Sequence, residues 1–175
     1  QWFLVSSLNV NVFKPSTGQR KKSEVDLALD AMGTSMRRAP LACAIQSHSR
    51  REWGDLQKGW VPLLNPCPMG ARDGLAGGVG WIVNPTHRRK VKRTVSDRAD
   101  GEGPHMMWLT VQLAGRGQLD MASIYIPPAG TTHDGKDKAQ VRRHVFRALR
   151  NKAERGEEMA VMGDINCDLS TGGQE

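Results

Sequence analysis

Cysteine is scarce in this sequence, and long hydrophobic runs are absent from it. The three cysteines, Cys43, Cys67 and Cys167, lie far apart and form no C-x-x-C pair. Neither a disulfide framework nor a cysteine-based zinc site is therefore indicated, and a reducing compartment is the expectation. No apolar run approaches the roughly 18 residues of a membrane span, and no signal peptide is present. The sequence thus predicts an intracellular protein that does not associate with membranes.

Acidic residues are also few relative to basic ones. The 175 residues include 18 Asp and Glu against 25 Lys and Arg, which gives a formal net charge of +7 at pH 7. Such an excess suits an anionic partner, and nucleic acid is the leading candidate. A basic surface that serves only solubility is the alternative, and charge alone does not decide between the two.

The basic residues are clustered along the chain. Residues 14–22 contain four Lys or Arg and no acid, a second cluster covers 88–93, and a third lies on a predicted helix over 137–153. These clusters could contact DNA phosphates, although a solvated face is the simpler interpretation for the helix. The contacts predicted in the second and third clusters are Arg88, Arg89, Lys90, Lys92, Arg93, Arg142 and Arg143.

The length fits one domain with a substantial core. We expect a single domain over residues 1–175, because no internal repeat or low-complexity linker divides the chain. The sequence begins with Gln1 and stops nine residues after Asn166 in a loop-like stretch. Both ends look cut, and the expectation is a domain whose C-terminal part is missing. No feature of the sequence indicates an oligomer.

Hydrophobic periodicity predicts a mixture of strands and helices. Apolar runs predict strands over 2–10, 41–46, 77–83, 107–113, 119–126 and 159–163, while 47–76 and 131–136 are predicted to be irregular. Apolar spacings of three and four predict helices over 23–36 and 137–153. The predicted apolar face of the second helix consists of Val141, Val145, Phe146, Leu149 and Ala153. This order of elements indicates an α/β layered sandwich.

Polar side chains stand at the ends of several predicted strands. In Gly163-Asp164-Ile165-Asn166, the strand period of two predicts that the Asp164 carboxylate and the Asn166 carboxamide point the same way. Such a pair suits chemistry at a phosphate, because the carboxylate can bind a proton or a metal and the amide can donate to an oxygen. A strand-to-loop turn is the alternative, since Asp and Asn are common in turns. Ligands nevertheless gather where strand ends converge. The polar residues at the predicted ends are Asn9, Asn11, Gln46, Ser47, Tyr125, Asp164 and Asn166.

Five segments in order resemble the endonuclease/exonuclease/phosphatase superfamily, whose members include abasic-site endonucleases, type I DNases, sphingomyelinases and the endonuclease domains of non-LTR retrotransposons. The last two segments are the most specific, because they resemble the Tyr-x-Pro and Gly-Asp-Phe-Asn motifs. The resemblance implies a DNase I-like sandwich and covers nearly the whole chain. The segments are Ser7-Leu8-Asn9-Val10-Asn11, Ala44-Ile45-Gln46, Gly77-Gly78-Val79-Gly80, Ile124-Tyr125-Ile126-Pro127-Pro128 and Met162-Gly163-Asp164-Ile165-Asn166.

The resemblance also implies a chemistry, which is hydrolysis of a DNA phosphodiester by in-line attack of water with the help of Mg²⁺ or Mn²⁺. By their positions in the motifs, Asn9 would hold the metal or a phosphate oxygen, and Asn11 would hold the metal. Tyr125 would contact the scissile phosphate. Asp164 would orient or deprotonate the attacking water, and Asn166 would stabilise the phosphate in the transition state.

Two departures from the family pattern bear on activity. The family places a metal-binding Glu directly after the Gln of the second strand, whereas this sequence has Ser47. A hydroxyl is a poor substitute for a carboxylate at Mg²⁺. The family's C-terminal Ser-Asp-His segment, whose His is essential, has no counterpart here. We therefore expect little or no nuclease activity from the chain as written.

Three functions follow from the resemblance. The first is a DNA endonuclease, specifically the endonuclease domain of a non-LTR retrotransposon, which would act in the nucleus. The second is a phosphatase or phospholipase of the same fold, which the motifs do not separate from the first. The third is a catalytically dead derivative that binds nucleic acid, which the Ser47 substitution favours. The excess of basic over acidic residues favours DNA as the partner in the first and the third of these functions.

Overall fold

Two four-stranded sheets form the framework of this protein in a computed structural model. The structure describes residues 5–9, 25, 27–31, 40–46, 56, 59–65, 78–93, 104–113, 115, 117–130, 132–133 and 136–166. The first sheet has the strand order β1-β2-β4-β3, and the second has the order β10-β7-β6-β5. Of the helices in these ranges, none has the length and apolar composition of a membrane span.

Each sheet has one parallel pair of strands at one edge and two antiparallel pairs. In the first sheet, β1 (Val5–Asn9) pairs in parallel with β2 (Ala42–Gln46), and β4 (Val79–Val83) runs antiparallel to both β2 and β3 (Val61–Asn65). In the second sheet, β10 (Met159–Asp164) is parallel to β7 (Gly117–Tyr125), which forms a hairpin with β6 (Met106–Leu113). The edge strand β5 (Val91–Arg93) pairs with β6.

The remaining elements cover the sheets or connect them. A helical segment at residues 25 and 27–31, here called α1, precedes β2. A 3-10 helix spans Pro85–Lys90, and a two-stranded ribbon joins β8 (Thr132–His133) to β9 (Lys136–Asp137). The long helix α2 covers Lys138–Glu154. The predicted α/β layered sandwich is therefore what the structure has.

The core forms three layers because residues alternate between the two faces of each strand. Between the sheets lie Ala42, Ala44, Trp81, Leu109 and Met121, all at most 1% exposed. Trp81 crosses this layer and donates its indole N–H to the Met107 carbonyl at 3.0 Å. The opposite face of the first sheet is covered by Val25 and Leu29 of α1. That of the second sheet is covered by Val141 and Val145 of α2.

Helix α2 begins at a capping box. The Asp137 carboxylate accepts the Gln140 backbone N–H at 2.7 Å, and the Gln140 side chain accepts the Asp137 N–H at 2.9 Å. The predicted apolar face is right for Val141, Val145 and Leu149 and wrong for Phe146 and Ala153. Phe146 is 46% exposed, because the stripe that reaches the sheet follows i, i+4 and i+8 from Val141 and leaves position 146 beside it.

The C-terminal end of α2 is fixed to the second sheet by an ionic network. The Lys152 ammonium contacts the carboxylates of Asp120 and Glu157, and Arg155 also contacts Glu157. Asp120 is 6% exposed and accepts the Thr110 hydroxyl at 2.5 Å. Burial lowers the pKa of Lys152, but its hydrogen bonds to the two carboxylates outweigh burial and raise it overall. The hydrogen bonds from Arg155 and Lys152 lower the pKa of Glu157 to about 2.

Three elements lie in stretches that were predicted to be irregular or to be no more than a basic run. Strand β3 was missed because Pro62 interrupts its apolar residues, and an edge position tolerates a proline that a central strand would not. Strand β5 lies within the basic run 88–93, and the β8–β9 ribbon lies within 131–136. Residues 14–22 lie outside the described ranges.

Candidate active site

The C-terminal ends of β7 and β10 place Tyr125 beside Asp164. The two strands are parallel, and Asp164 is the register partner of Tyr125, just as Met162 is the partner of Ser123. Because Tyr125 and Met162 contact the core between the sheets, strand alternation directs Asp164 to that same inner side. Tyr125 is 8% exposed. Sequence analysis predicted these two residues as site partners, and the structure brings them together.

The turn after β10 holds Asn166 in a fixed conformation. The Ile126 N–H donates to the Asp164 carbonyl at 2.8 Å, and the Asn166 side-chain amide donates to the Ile126 carbonyl at 2.8 Å. The Asn166 backbone N–H donates to the Asp164 carboxylate at 2.9 Å. Asn166 has φ 44°, in the left-handed region that asparagine tolerates better than most residues. The turn that was one alternative for this segment is therefore present. The strand period that was predicted to direct Asp164 and Asn166 the same way does not reach Asn166, because β10 ends at Asp164.

Helix α2 contributes a further contact to this turn. The Lys138 ammonium donates to the Asn166 carbonyl oxygen at 2.9 Å. Since Lys138 is the first residue of α2, the helix N-terminus lies against the loop that carries Asn166. Sequence analysis missed Lys138. Its position directly after the capping residue Asp137 identifies the start of a helix and gives no sign of this long-range contact.

Gly163 allows β10 to approach β7 closely. A Cβ atom built at this position would lie 2.0 Å from the Ile124 carbonyl oxygen and 2.6 Å from Ile124 Cγ1. Real Cβ atoms do not approach a carbonyl oxygen this closely, so a side chain here would push the strands apart. The glycine before Asp164 therefore serves the pairing that puts Asp164 opposite Tyr125.

Strands β1 and β2 end at the same edge of the sandwich. The Gln46 amide donates to the Ser123 hydroxyl at 3.1 Å, and Ser123 donates to the Ile45 carbonyl at 3.2 Å. These bonds join the end of β2 to the inner face of β7, two residues before Tyr125. The register partner of Gln46 is Asn9, so the backbone of Asn9 reaches this edge. The predicted convergence of strand ends is present for β1, β2, β7 and β10.

The Gln46 side chain connects the two sheets close to the ends of β2 and β7. It is 1% exposed, its amide donates to Ser123, and its carbonyl oxygen accepts the Ser7 hydroxyl at 3.4 Å. This polar chain was not predicted. A Ser at an inward position of the apolar run in β7 was the signal for it, because a buried hydroxyl requires a partner. Asn11 and Ser47 lie outside the described ranges, and the side chain of Asn9 is not described.

Within the described ranges, no group of three or more His, Cys, Asp or Glu side chains is placed to hold a metal ion. The donors at the site are the Asp164 carboxylate and the Asn166 carboxamide, which are oxygen ligands of the kind that Mg²⁺ prefers. Cys43 is buried between α1 and the first sheet, and burial raises the pKa of its thiol. It takes no part in the site.

The structure separates the two predicted DNA-contacting clusters. Residues 88–93 form the end of the 3-10 helix and strand β5, at the edge of the second sheet opposite β10. Three strand spacings lie between these edges, about 14 Å. Arg89 is exposed and Lys90 half-buried, while the side chains of Arg88, Lys92 and Arg93 are not described. Arg142 and Arg143 are exposed on α2, the helix whose first residue contacts the Asn166 loop.

Three solved structures share this architecture. The chain is 15% identical to the 3′ phosphatase NExo from Neisseria bound to a product DNA hairpin, with a TM-score of 0.50, and the match covers 93% of this chain and 57% of that one. The fold is shared with TDP2 as well. For TDP2 from C. elegans the identity is 10%, the TM-score 0.56 and the coverage 97% and 49%. For humanized D. rerio TDP2 the values are 16%, 0.51, and 97% and 70%.

No protein-family model matches the chain, and no curated protein matches it in sequence. The likeness to the solved structures therefore concerns the fold. This chain spans 57% of the length of the NExo chain and 49% of the C. elegans TDP2 chain.

Proposed function

We propose that this chain carries the site of a metal-dependent DNA phosphodiester hydrolase of the endonuclease type. The observation that carries the proposal is the convergence of Tyr125, Asp164 and Asn166 at one edge of the sandwich, with Asp164 in register with Tyr125 and hydrogen-bonded to Asn166. The fold supports it, because the NExo structure with the same architecture holds a DNA product. The net charge of +7 supports a polyanionic substrate.

Asp164 is the group that handles the attacking water. One of its carboxylate oxygens accepts the Asn166 backbone N–H, which fixes the orientation of the carboxylate that would accept a proton from the attacking water. Asn166 uses one side-chain N–H on the Ile126 carbonyl, and the second N–H of the same amide can donate to a phosphate oxygen. Tyr125 would place its hydroxyl against the scissile phosphate.

Magnesium or manganese would neutralise the charge that develops on the phosphate. Asn9 and Asn11 would hold it together with Asp164, a set of oxygen donors with one carboxylate. Mg²⁺ keeps several of its waters, so such a set fits the ion but holds it weakly. Ser47, at the position directly after Gln46, adds no charge. The proposal therefore includes a low rate for the chain as written.

The test is to restore the missing carboxylate. We expect Ser47→Glu to tighten Mn²⁺ binding, measured by isothermal titration calorimetry, at least tenfold and to raise the low rate of plasmid nicking, because a second carboxylate strengthens metal binding at the site. Ser47→Gln has nearly the same size without the charge and is the matched control. Asp164→Ala in the Ser47→Glu background should abolish the gain. If Ser47→Glu and Ser47→Gln behave alike, position 47 does not belong to a metal site.

Hydrolysis of a terminal phosphate is the second candidate, which the 3′ phosphatase activity named for NExo favours. A 3′-phosphorylated oligonucleotide, assayed beside the plasmid, separates the two. Release of inorganic phosphate without nicking would assign the site to terminal phosphates. We further propose that the chain is the endonuclease domain of a non-LTR retrotransposon and acts on nuclear DNA. A reverse transcriptase reading frame downstream of this sequence would support that origin, and its absence would contradict it.

A further inference from the structure

The outward side of α2 carries an unusual concentration of positive charge. Arg142, Arg143, Arg147 and Arg150 are all exposed, and no Asp or Glu occurs between residues 138 and 153. Within the described ranges, none of these four guanidinium groups pairs with a carboxylate. Like charges three and four residues apart repel along a helix. This set, here called the arginine face, therefore destabilises the helix slightly unless an anion covers it.

An aromatic ring stands in the middle of the arginine face. Phe146 is 46% exposed, and the Arg142 guanidinium lies over its ring at 5.9 Å from the centroid. Phe146 and the four arginines line the same open depression of about 1120 Å³. The positive field reaches His144 at its border. Burial lowers the pKa of His144, and the charges of Lys136 and Arg147 lower it further.

Arginines with an exposed ring between them match the chemistry of an unpaired nucleotide strand. Phosphates pair with guanidinium groups, and a base can stack on an aromatic ring only where it is not already stacked within a duplex. From Arg142 to Arg150 the helix rises about 12 Å, which is enough for a few nucleotides. Lys138 lines the same depression and donates to the Asn166 carbonyl, so a strand on this face would lead toward the candidate active site.

We propose that the arginine face binds single-stranded nucleic acid, with backbone phosphates on Arg143, Arg147 and Arg150 and one base stacked on Phe146. The surface lies on the layer outside the second sheet, while Tyr125 and Asp164 face the layer between the sheets. Binding here does not depend on hydrolysis, and it is therefore measured in EDTA. Failure of the proposed catalytic function leaves this proposal standing, and the reverse also holds.

The experiment is fluorescence anisotropy of a labelled oligo-dT and of a duplex of the same length. Phe146→Leu keeps an apolar side chain but removes the ring, and we expect it to weaken oligo-dT binding at least fivefold while duplex binding changes less than twofold. Phe146→Tyr keeps the ring and should retain the affinity. The triple change Arg143→Ala/Arg147→Ala/Arg150→Ala should weaken oligo-dT binding more than tenfold. It should also reduce the slope of log affinity against log salt by about two.

Two control variants remove matched groups elsewhere. Leu27→Ala removes an apolar side chain that is 68% exposed on α1, and Arg155→Ala removes an exposed arginine that pairs with Glu157 outside the face. Neither should change oligo-dT affinity more than twofold, and circular dichroism with thermal melts establishes that every variant is folded. Equal loss of duplex and oligo-dT binding in Phe146→Leu would overturn the stacking. If heparin displaced the labelled oligo-dT as well as unlabelled oligo-dT of equal charge does, the arginine face would be a general polyanion-binding surface, and the proposal would be overturned.

Discussion

Lys138 and Lys152 stand at opposite ends of the same helix, and each connects it to the second sheet. Lys152 contacts the Asp120 carboxylate, which is buried at the start of the well-covered part of β7. Lys138 instead donates to the neutral carbonyl of Asn166, in the turn beyond β10. The first lysine compensates a buried charge, whereas the second orders a loop. The burial and charge of the partner therefore decide what a lysine does on this helix.

The largest effect in this comparison is expected at the Lys152 end. We expect Lys152→Met to reduce the free energy of unfolding by about 3 kcal/mol, because the buried Asp120 carboxylate would lose its counter-charge. Met keeps most of the aliphatic stem beside Trp108, although the ammonium contact 4.9 Å from that ring centre is lost. Urea denaturation followed by tryptophan fluorescence measures the change.

Removing both charges is the control for this variant. Lys152→Met/Asp120→Asn should recover most of the loss, since the buried site is then neutral and the amide can still accept the Thr110 hydroxyl. A single variant that costs less than about 1 kcal/mol would mean that Asp120 is solvated well enough without its partner.

The Lys138 end is expected to respond locally. Lys138→Met should leave the urea midpoint nearly unchanged but increase amide hydrogen exchange at Ile126 and Asn166 about fivefold, because one hydrogen bond to the loop, about 1 kcal/mol, is lost. Exchange in the middle of β6 serves as the internal reference. If exchange rose equally in both places, Lys138 would be part of the framework like Lys152, and the contrast between the two ends would fail.

The smallest effect concerns Glu157 and depends on pH. Its folded-state pKa of about 2 lies below the ordinary value of 4.5, so its contribution to stability is present above about pH 4.5 and is lost as the pH falls toward 2. We therefore expect Glu157→Gln to be less stable than the parent chain at pH 6, with a difference that narrows as denaturation is repeated down to pH 3. A difference that stays constant with pH would show that the ion pairs with Arg155 and Lys152 do not set this dependence.

Most of the central strands and the long helix could be predicted from the sequence, because local hydrophobic patterns determine them. The apolar runs gave β2, β4, β6, β7 and β10, and the spacing of Val141, Val145 and Leu149 gave α2. The edge strands were harder to predict. Strand β3 contains a proline and β5 lies in a basic run, so neither has the period of a half-buried strand, and only pairing with β4 and β6 makes them strands.

The arrangement of the candidate site could be predicted in part for the same reason. Tyr125, Asp164 and Asn166 stand at strand ends, which a sequence displays. Lys138 and Ser123 contribute through contacts at sequence separations of 28 and 77, which no local pattern encodes. The two basic clusters looked alike in sequence. One lies at the β5 edge of the second sheet and the other on the helix that covers the outer face of that sheet, and this separation depends on the whole topology.

Gly163 has a consequence for which sequences this edge tolerates. Its φ of 159° is a backbone conformation that residues with a side chain rarely adopt, and a Cβ built on it would lie 2.0 Å from the Ile124 carbonyl oxygen. Even alanine at position 163 would therefore force the backbone of β10 to shift at the residue next to Asp164. The position of that carboxylate relative to Tyr125 thus depends on a residue that has no side chain of its own.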